Sequence, residues 1–171
     1  AVGANALTAA IKGYSNAFGY NALKTQTTDG SENCAFGWES LKLNTTGDHN
    51  NAFGNGTLDA NTTGVNNTAF GSYALSANTE GDANTAIGPY ALDANTTADS
   101  NIAIGNDALG VNTTGATNVA IGRFSMDANT TASNNVAVGY NSLTANTTGT
   151  GNTAVGRDSL LLNTTGANNT A

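Results

Sequence analysis

The sequence is short of charge, of aromatic rings and of reactive side chains. Of its 171 residues 10% are charged and 6% aromatic, with one Cys, one His and one Pro. Each scarcity excludes something. Five basic residues against 12 acidic ones give a net charge of −7, without the basic footprint that nucleic-acid binding requires. Cys34 alone supports neither an internal disulfide framework nor a multi-thiolate zinc site. His49 alone excludes histidine metal triads and leaves a single imidazole base. No run approaches the length of a membrane helix, and no basic stretch leads into an apolar one, so neither a membrane span nor a signal peptide is expected in this segment. Large aliphatic side chains are too few for a broad globular core.

What the sequence has is repetition. A glycine preceded by Ala and one apolar residue (Φ) recurs at 3, 19, 37, 54, 71, 88, 105, 122, 139 and 156. The first two intervals are 16 and 18, and the other seven are 17. Residues 1–171 therefore read as one array, less regular over 1–36 and strict over 37–171. The unit is N-x-A-Φ-G-x-x-A-L-x-A-N-T-T-G-x-x. Φ runs from Phe18, Phe36, Phe53 and Phe70 through Ile87, Ile104 and Ile121 to Val138 and Val155. Leu, or Met126 once, stands four residues after each glycine. Two Asn columns accompany them, one from Asn44 to Asn163 and one from Asn33 to Asn152.

Seventeen residues are too few for a helix pair of the tetratricopeptide kind. Asn-Thr-Thr-Gly is turn chemistry, because Asn tolerates left-handed dihedrals and Gly takes them freely. The small–large alternation of Ala-Φ-Gly has the strand period. The expected fold is all-β: a parallel β-solenoid of about ten coils with two short strands per repeat, each column forming a ladder at about 4.8 Å. Ala and Φ point to opposite sides of their strand. The expectation is that Φ and Leu fill the coil while Ala52, Ala69, Ala86, Ala103, Ala120, Ala137 and Ala154 form a close contact between chains. The partner is then another copy of the chain.

Segments such as Asn-Val-Ala-Val-Gly-Tyr-Asn-Ser-Leu (135–143) and Asn-Thr-Ala-Ile-Gly-Pro-Tyr-Ala-Leu (84–92) resemble the head repeats of YadA-type trimeric autotransporter adhesins. The 17-residue version is similar to arrays in long bacterial surface proteins and phage tail-fibre-like proteins. This resemblance implies a left-handed β-roll, a trimer around one axis, and an adhesive or spacer role outside the cell, on the cell surface or on a virion fibre. The adhesin head repeat is a few residues shorter, so the turn here is longer. The chain begins and ends on the same column, Ala1 and Ala171. Repeat arrays need end caps, so a longer array is expected around it.

Candidate sites follow from the columns. Asn44, Asn61, Asn95, Asn112, Asn129, Asn146 and Asn163 each open an N-glycosylation sequon, as do Asn55, Asn66 and Asn168. The competing reading makes the column an internal hydrogen-bonded amide ladder. Tyr20, Trp38, Tyr73, Tyr90, Phe124 and Tyr140 follow the glycine by one or two positions; they are candidates for stacking on a glycan or a receptor, or cover a neighbouring coil. Thr pairs such as Thr62-Thr63 and Thr113-Thr114 suggest ice binding, but only one Thr of each pair can join a given face. Asp59, Asp93 and Asp127 share a column in alternate repeats, whereas a calcium roll needs ligands in successive turns. No metal, cofactor or catalytic residue is assigned, since catalysis needs one particular constellation and this sequence repeats one unit. The expected function is non-enzymatic: a rigid extracellular fibre or adhesin segment working as a homo-oligomer. The alternatives are a solenoid that binds glycans or ice, or an end-to-end filament.

Overall fold

The computed structural model describes residues 1–8, 14–27 and 31–171. Every strand is three residues long: β1 Asn16–Phe18, β2 Cys34–Phe36, β3 Asn51–Phe53, β4 Thr68–Phe70, β5 Thr85–Ile87, β6 Ile102–Ile104, β7 Val119–Ile121, β8 Val136–Val138 and β9 Thr153–Val155. They form one parallel sheet in chain order. Like stands beside like throughout, with Ala52 paired to Ala69 and Phe53 to Phe70. Single bridges, Val2 to Phe18 and Thr153 to Thr170, extend the sheet at both ends. Among the described residues there is no helix. The chain is a parallel β-solenoid. The 16- and 18-residue intervals of the first repeats leave the ladder in register, since Val2 pairs with Phe18 and Asn16 with Cys34. Part of the irregular stretch, residues 9–13 and 28–30, lies outside the described residues.

The sequence pattern suggested two strands per coil, and the structure forms one. After each strand, the conserved-length segment Gly-x-x-Ala-Leu curls instead of extending. The glycine has φ between 126° and 144°, the residue two further on is left-handed, and so is the Leu, at 48–55° across its column. Left-handed residues two apart cannot continue a pleat. The rungs persist nonetheless: Leu58 N–H donates to the Ala74 carbonyl at 3.1 Å, and Leu75 N–H to that of Ala91 at 3.0 Å. A left-handed leucine costs about 1–2 kcal/mol, offset by about 1.5–3 kcal/mol from burying its side chain. From Leu23 to Leu143, with Met126 in line, that column is fully buried.

The interior is narrow. Each coil encloses one Leu, the strand Ala, an Ala, Ser or Thr before the Leu, and two Asn, all of them buried through the middle of the array. Close stacking explains the glycine after each strand: a methyl on Gly88 would lie 2.6 Å from the carbonyl oxygen of Gly105 in the next coil.

Candidate functional site

The two Asn columns are the polar half of this interior. Asn61, Asn78 and Asn95 each donate Nδ2 to the Oδ1 of the Asn one coil earlier, at 2.8–2.9 Å. The same Nδ2 atoms donate to the carbonyl three residues on, those of Gly64, Gly81 and Ala98, at 3.0–3.1 Å. In the second column the amide oxygen accepts a backbone N–H from the next coil, as Asn84 Oδ1 does from Asn101 at 2.9 Å. Its Nδ2 reaches the same turn carbonyls: Asn67 to Gly81 and Asn84 to Ala98, both at 2.8 Å. Both ladders thus converge on one carbonyl per coil. The side-chain pattern is incomplete at Asn135, whose Nδ2 is buried without a partner although its oxygen still accepts the Asn152 N–H at 2.9 Å.

This overturns the glycosylation assignment for the Asn-Thr-Thr column, while the sequons at Asn55, Asn66 and Asn168 stand exposed. Asn44, Asn61, Asn95, Asn112, Asn129 and Asn146 are fully buried. Asn163, partly covered at the last turn, is committed to Asn146 Oδ1 and the Gly166 carbonyl at 3.0 Å each. A sugar on such an amide has no space and breaks the ladder. The competing ladder reading is the observed one. The neighbouring Thr column is occupied as well, with Thr62 Oγ1 donating to the Thr79 carbonyl at 2.9 Å and Thr79 Oγ1 to that of Thr96 at 3.1 Å. The second Thr of each pair is the exposed one from Thr46 to Thr148, the first being half-buried, and Glu80 interrupts the exposed row.

A second correction concerns the alanines. Ala52, Ala69, Ala86, Ala103, Ala120, Ala137 and Ala154 have zero exposure within a single chain and cannot touch another one. Their strand neighbours on both sides point outward instead. The Φ residues from Val2 to Val155 that stand open are 36–60% exposed. The residues two before them, from Asn16 to Thr153, share that face. Phe18 and Phe36 stack at 4.5 Å between ring centroids, and Phe53 and Phe70 at 4.4 Å. The outcome inverts the expectation because the coil has no room for a second large side chain beside Leu. The signal was legible in hindsight: a column that never departs from Ala marks the confined side, and one that ranges from Phe to Val the open side.

The aromatic column lies at the surface. Tyr20, Trp38, Tyr73, Tyr90 and Tyr140 are exposed, and Phe124 partly so. The rings pair with each other. Tyr20 and Trp38 stack at 6.3 Å, Tyr73 and Tyr90 at 5.6 Å, and Phe124 meets Tyr140 edge to face at 6.4 Å. Arg123 sits 4.3 Å from the Phe124 centroid and Arg157 5.6 Å from that of Tyr140. Stacking covers one face of each ring in a pair, and Tyr73 also lies over Gly56, where a methyl would meet the ring at 2.7 Å. The arrangement is better suited to covering neighbouring coils.

The remaining polar groups are scattered. Lys42 pairs with Glu39 at 3.0 Å and Asp59 at 3.7 Å, and His49 with Glu32 at 3.0 Å. Cys34 is partly exposed on the outward face of β2. Among the described residues no three His, Cys, Asp or Glu side chains come together as a metal site. Asp93 and Asp127 flank Gly110, where a methyl would lie 3.5 and 3.6 Å from their Oδ1 atoms. Burial pushes both carboxyls above the ordinary Asp range, and the Asp107 charge adds to the shift. Between the ordinary value of 3.8 and the raised folded value, the native state binds more protons than the unfolded chain, so stability falls as pH rises through that window. The double variant Asp93→Asn, Asp127→Asn is expected to melt higher than the parent at pH 7 and to lose this advantage near about pH 4. Equal melting temperatures at pH 7 would refute the assignment.

The class defined by this geometry is the parallel β-solenoid with an amide-laddered core. Compared with family models, curated proteins and solved structures, the chain matches none. No helix among the described residues is long and apolar enough to cross a membrane.

Proposed function

We propose that this chain is a structural segment of an extracellular fibre or adhesin, a stiff rod that extends or presents a binding tip on a cell surface or virion. The reading is supported above all by the unbroken register of nine strands, in which backbone, Asn and Thr ladders all run along one axis. Bending such a rod shears three sets of hydrogen bonds at once. Repetition supplies length and uniform rungs supply stiffness. The resemblance to trimeric autotransporter head repeats favours a homo-oligomer of three chains. A role in catalysis is not proposed, because each coil repeats the chemistry of the one before it.

The test is geometric. Inserting four further copies of the coil at 95–111 is expected to lengthen the particle by about 19 Å, at about 4.8 Å per coil, with no change in width. Negative-stain imaging or small-angle scattering measures both dimensions. Compact particles, or a length that does not scale with coil number, would refute the rod.

A further inference from the structure

We infer that Lys42 and Asp59 become joined through their side chains by an amide bond, formed by the folded chain itself with Glu39 as the proton acceptor, so that two successive coils are stapled covalently. Lys42 and Asp59 stand 17 residues apart in one column. Rungs on the backbone fix their spacing: Leu41 N–H donates to the Thr57 carbonyl and Leu43 N–H to that of Asp59, both at 3.0 Å. On this frame Lys42 Nζ lies 3.0 Å from Glu39 Oε2 and 3.7 Å from Asp59 Oδ2. The first contact is a hydrogen bond. The second is longer than one and close to the separation of about 3–3.5 Å from which positioned groups react. Asn21, one coil earlier, donates Nδ2 to Glu39 Oε1 at 3.1 Å and holds the carboxylate from its other side. The three side chains are 18–29% exposed, which excludes most of the surrounding water and still lets a product water leave.

The arrangement occurs once among the described residues. Asp93 and Asp127 hold the same column, but their column neighbours are Ser76, Gly110 and Thr144, none of them an amine. The other ion pairs, His49 with Glu32 and Arg157 with Asp158, are more exposed and contain no primary amine. At Lys42 the chemistry balances without an oxidant or a co-reactant. The Glu39 hydrogen bond holds Lys42 in its charged form, so the amine is freed by passing a proton along that bond to Glu39. Its lone pair attacks Cγ of Asp59 in the neutral acid form, a form that burial favours by pushing this carboxyl above the ordinary Asp range. The C–N bond forms as the carbonyl π pair moves onto oxygen. That pair returns as the C–O bond breaks, the hydroxyl takes the proton from Glu39 and leaves as water, and the nitrogen sheds its extra proton to solvent. From the ionised pair, –NH3+ and –COO− give one amide and one water, with one proton borrowed from solvent and one returned. Free Lys and Asp in water do not condense in this way. Groups held in a fixed geometry react as if at about 10⁵ M or more.

The test is a mass measurement on the whole, folded chain, which is expected to be lighter than its sequence by one water. Trypsin does not cut at an acylated lysine. It is therefore expected to release 25–123 as one peptide lacking a water, in place of 25–42 and 43–123. Lys42→Arg, which keeps the ion pair, and Asp59→Ala are expected to show their full masses. Glu39→Gln is expected to slow the loss at least a hundredfold. Asp59→Asn is expected to reach the same final product by losing ammonia instead of water. Circular dichroism checks that each variant folds, and should Glu39→Gln fail to do so, Lys42→Arg and Asp59→Asn decide. A folded parent chain at full mass overturns the bond. So does a water loss that survives Lys42→Arg, since it would come from a cyclised aspartyl residue. Rod dimensions are measured separately, so either result leaves the fibre reading where it stands.

Discussion

Gly88→Ala is expected to destabilise the array by about 3–5 kcal/mol, combining strain at a dihedral that L residues avoid with overlap between backbones. At φ 130° a methyl on Gly88 would lie 2.6 Å from the carbonyl oxygen of Gly105, and the opposing atom belongs to a rung that cannot swing aside. Gly81→Ala is the informative comparison. Its methyl would also be tight, 2.5 Å from the Ala98 carbonyl oxygen. Gly81 has no left-handed dihedral, however, and Ala98 and Ala132 already occupy its column while nearly fully buried. The turn evidently shifts enough to hold a methyl, and the cost there is expected to stay below about 1–2 kcal/mol. Thermal and urea unfolding of the two variants measures the difference. Similar losses would mean that crowding, and not backbone conformation, imposes glycine after the strand.

Asn101→Ala is expected to cost about 2–4 kcal/mol, from a stranded N–H and the space left behind. The Asn101 oxygen accepts the backbone N–H of Asn118 at 2.9 Å and its side-chain amide at 3.2 Å, while its own Nδ2 donates to the Gly115 carbonyl at 2.9 Å. Removing the amide leaves the buried Asn118 N–H without an acceptor. Asn101→Ser should be milder, since Ser15 occupies the same place earlier in the array and accepts the Asn33 N–H at 3.1 Å. Asn101→Asp is the sharpest probe. It keeps the shape but points a buried carboxylate at a carbonyl oxygen, so it should be worse than Ala at pH 7. Burial raises the folded-state pKa of such a group above its unfolded value, so the penalty should shrink as pH falls through the folded value. An Asp variant as stable as Asn101→Ala at neutral pH would show that water reaches this column.

Much of the architecture was legible before any coordinates. The 17-residue spacing, the Asn-Thr-Thr-Gly turns and the strand-period Ala-Φ-Gly stretch lead to stacked parallel coils, and Ala69 does lie between Ala52 and Ala86. The Asn column posed a choice between sugar acceptors and an internal ladder, and a short motif cannot make that choice. Burial made it. The second strand was expected wrongly because nothing in a run such as Gly71 to Leu75 announces that Tyr73 and Leu75 adopt φ of 56° and 52°. Leucine is a poor left-handed residue, and only the gain from turning its side chain into the core holds it there.

The sequence alone determined the period, the register and the identity of each column, because a ladder of identical neighbours follows from repetition itself. Only the tertiary structure decided which columns face inward. Strand alternation says that Ala52 and Phe53 lie on opposite sides and is silent about which side is the core. That depends on the width of the coil, which left-handed turns make too narrow for anything beyond Leu58, small residues and two amides. The phenylalanines were therefore left outside, Phe18, Phe36 and Phe70 exposed and Phe53 partly so.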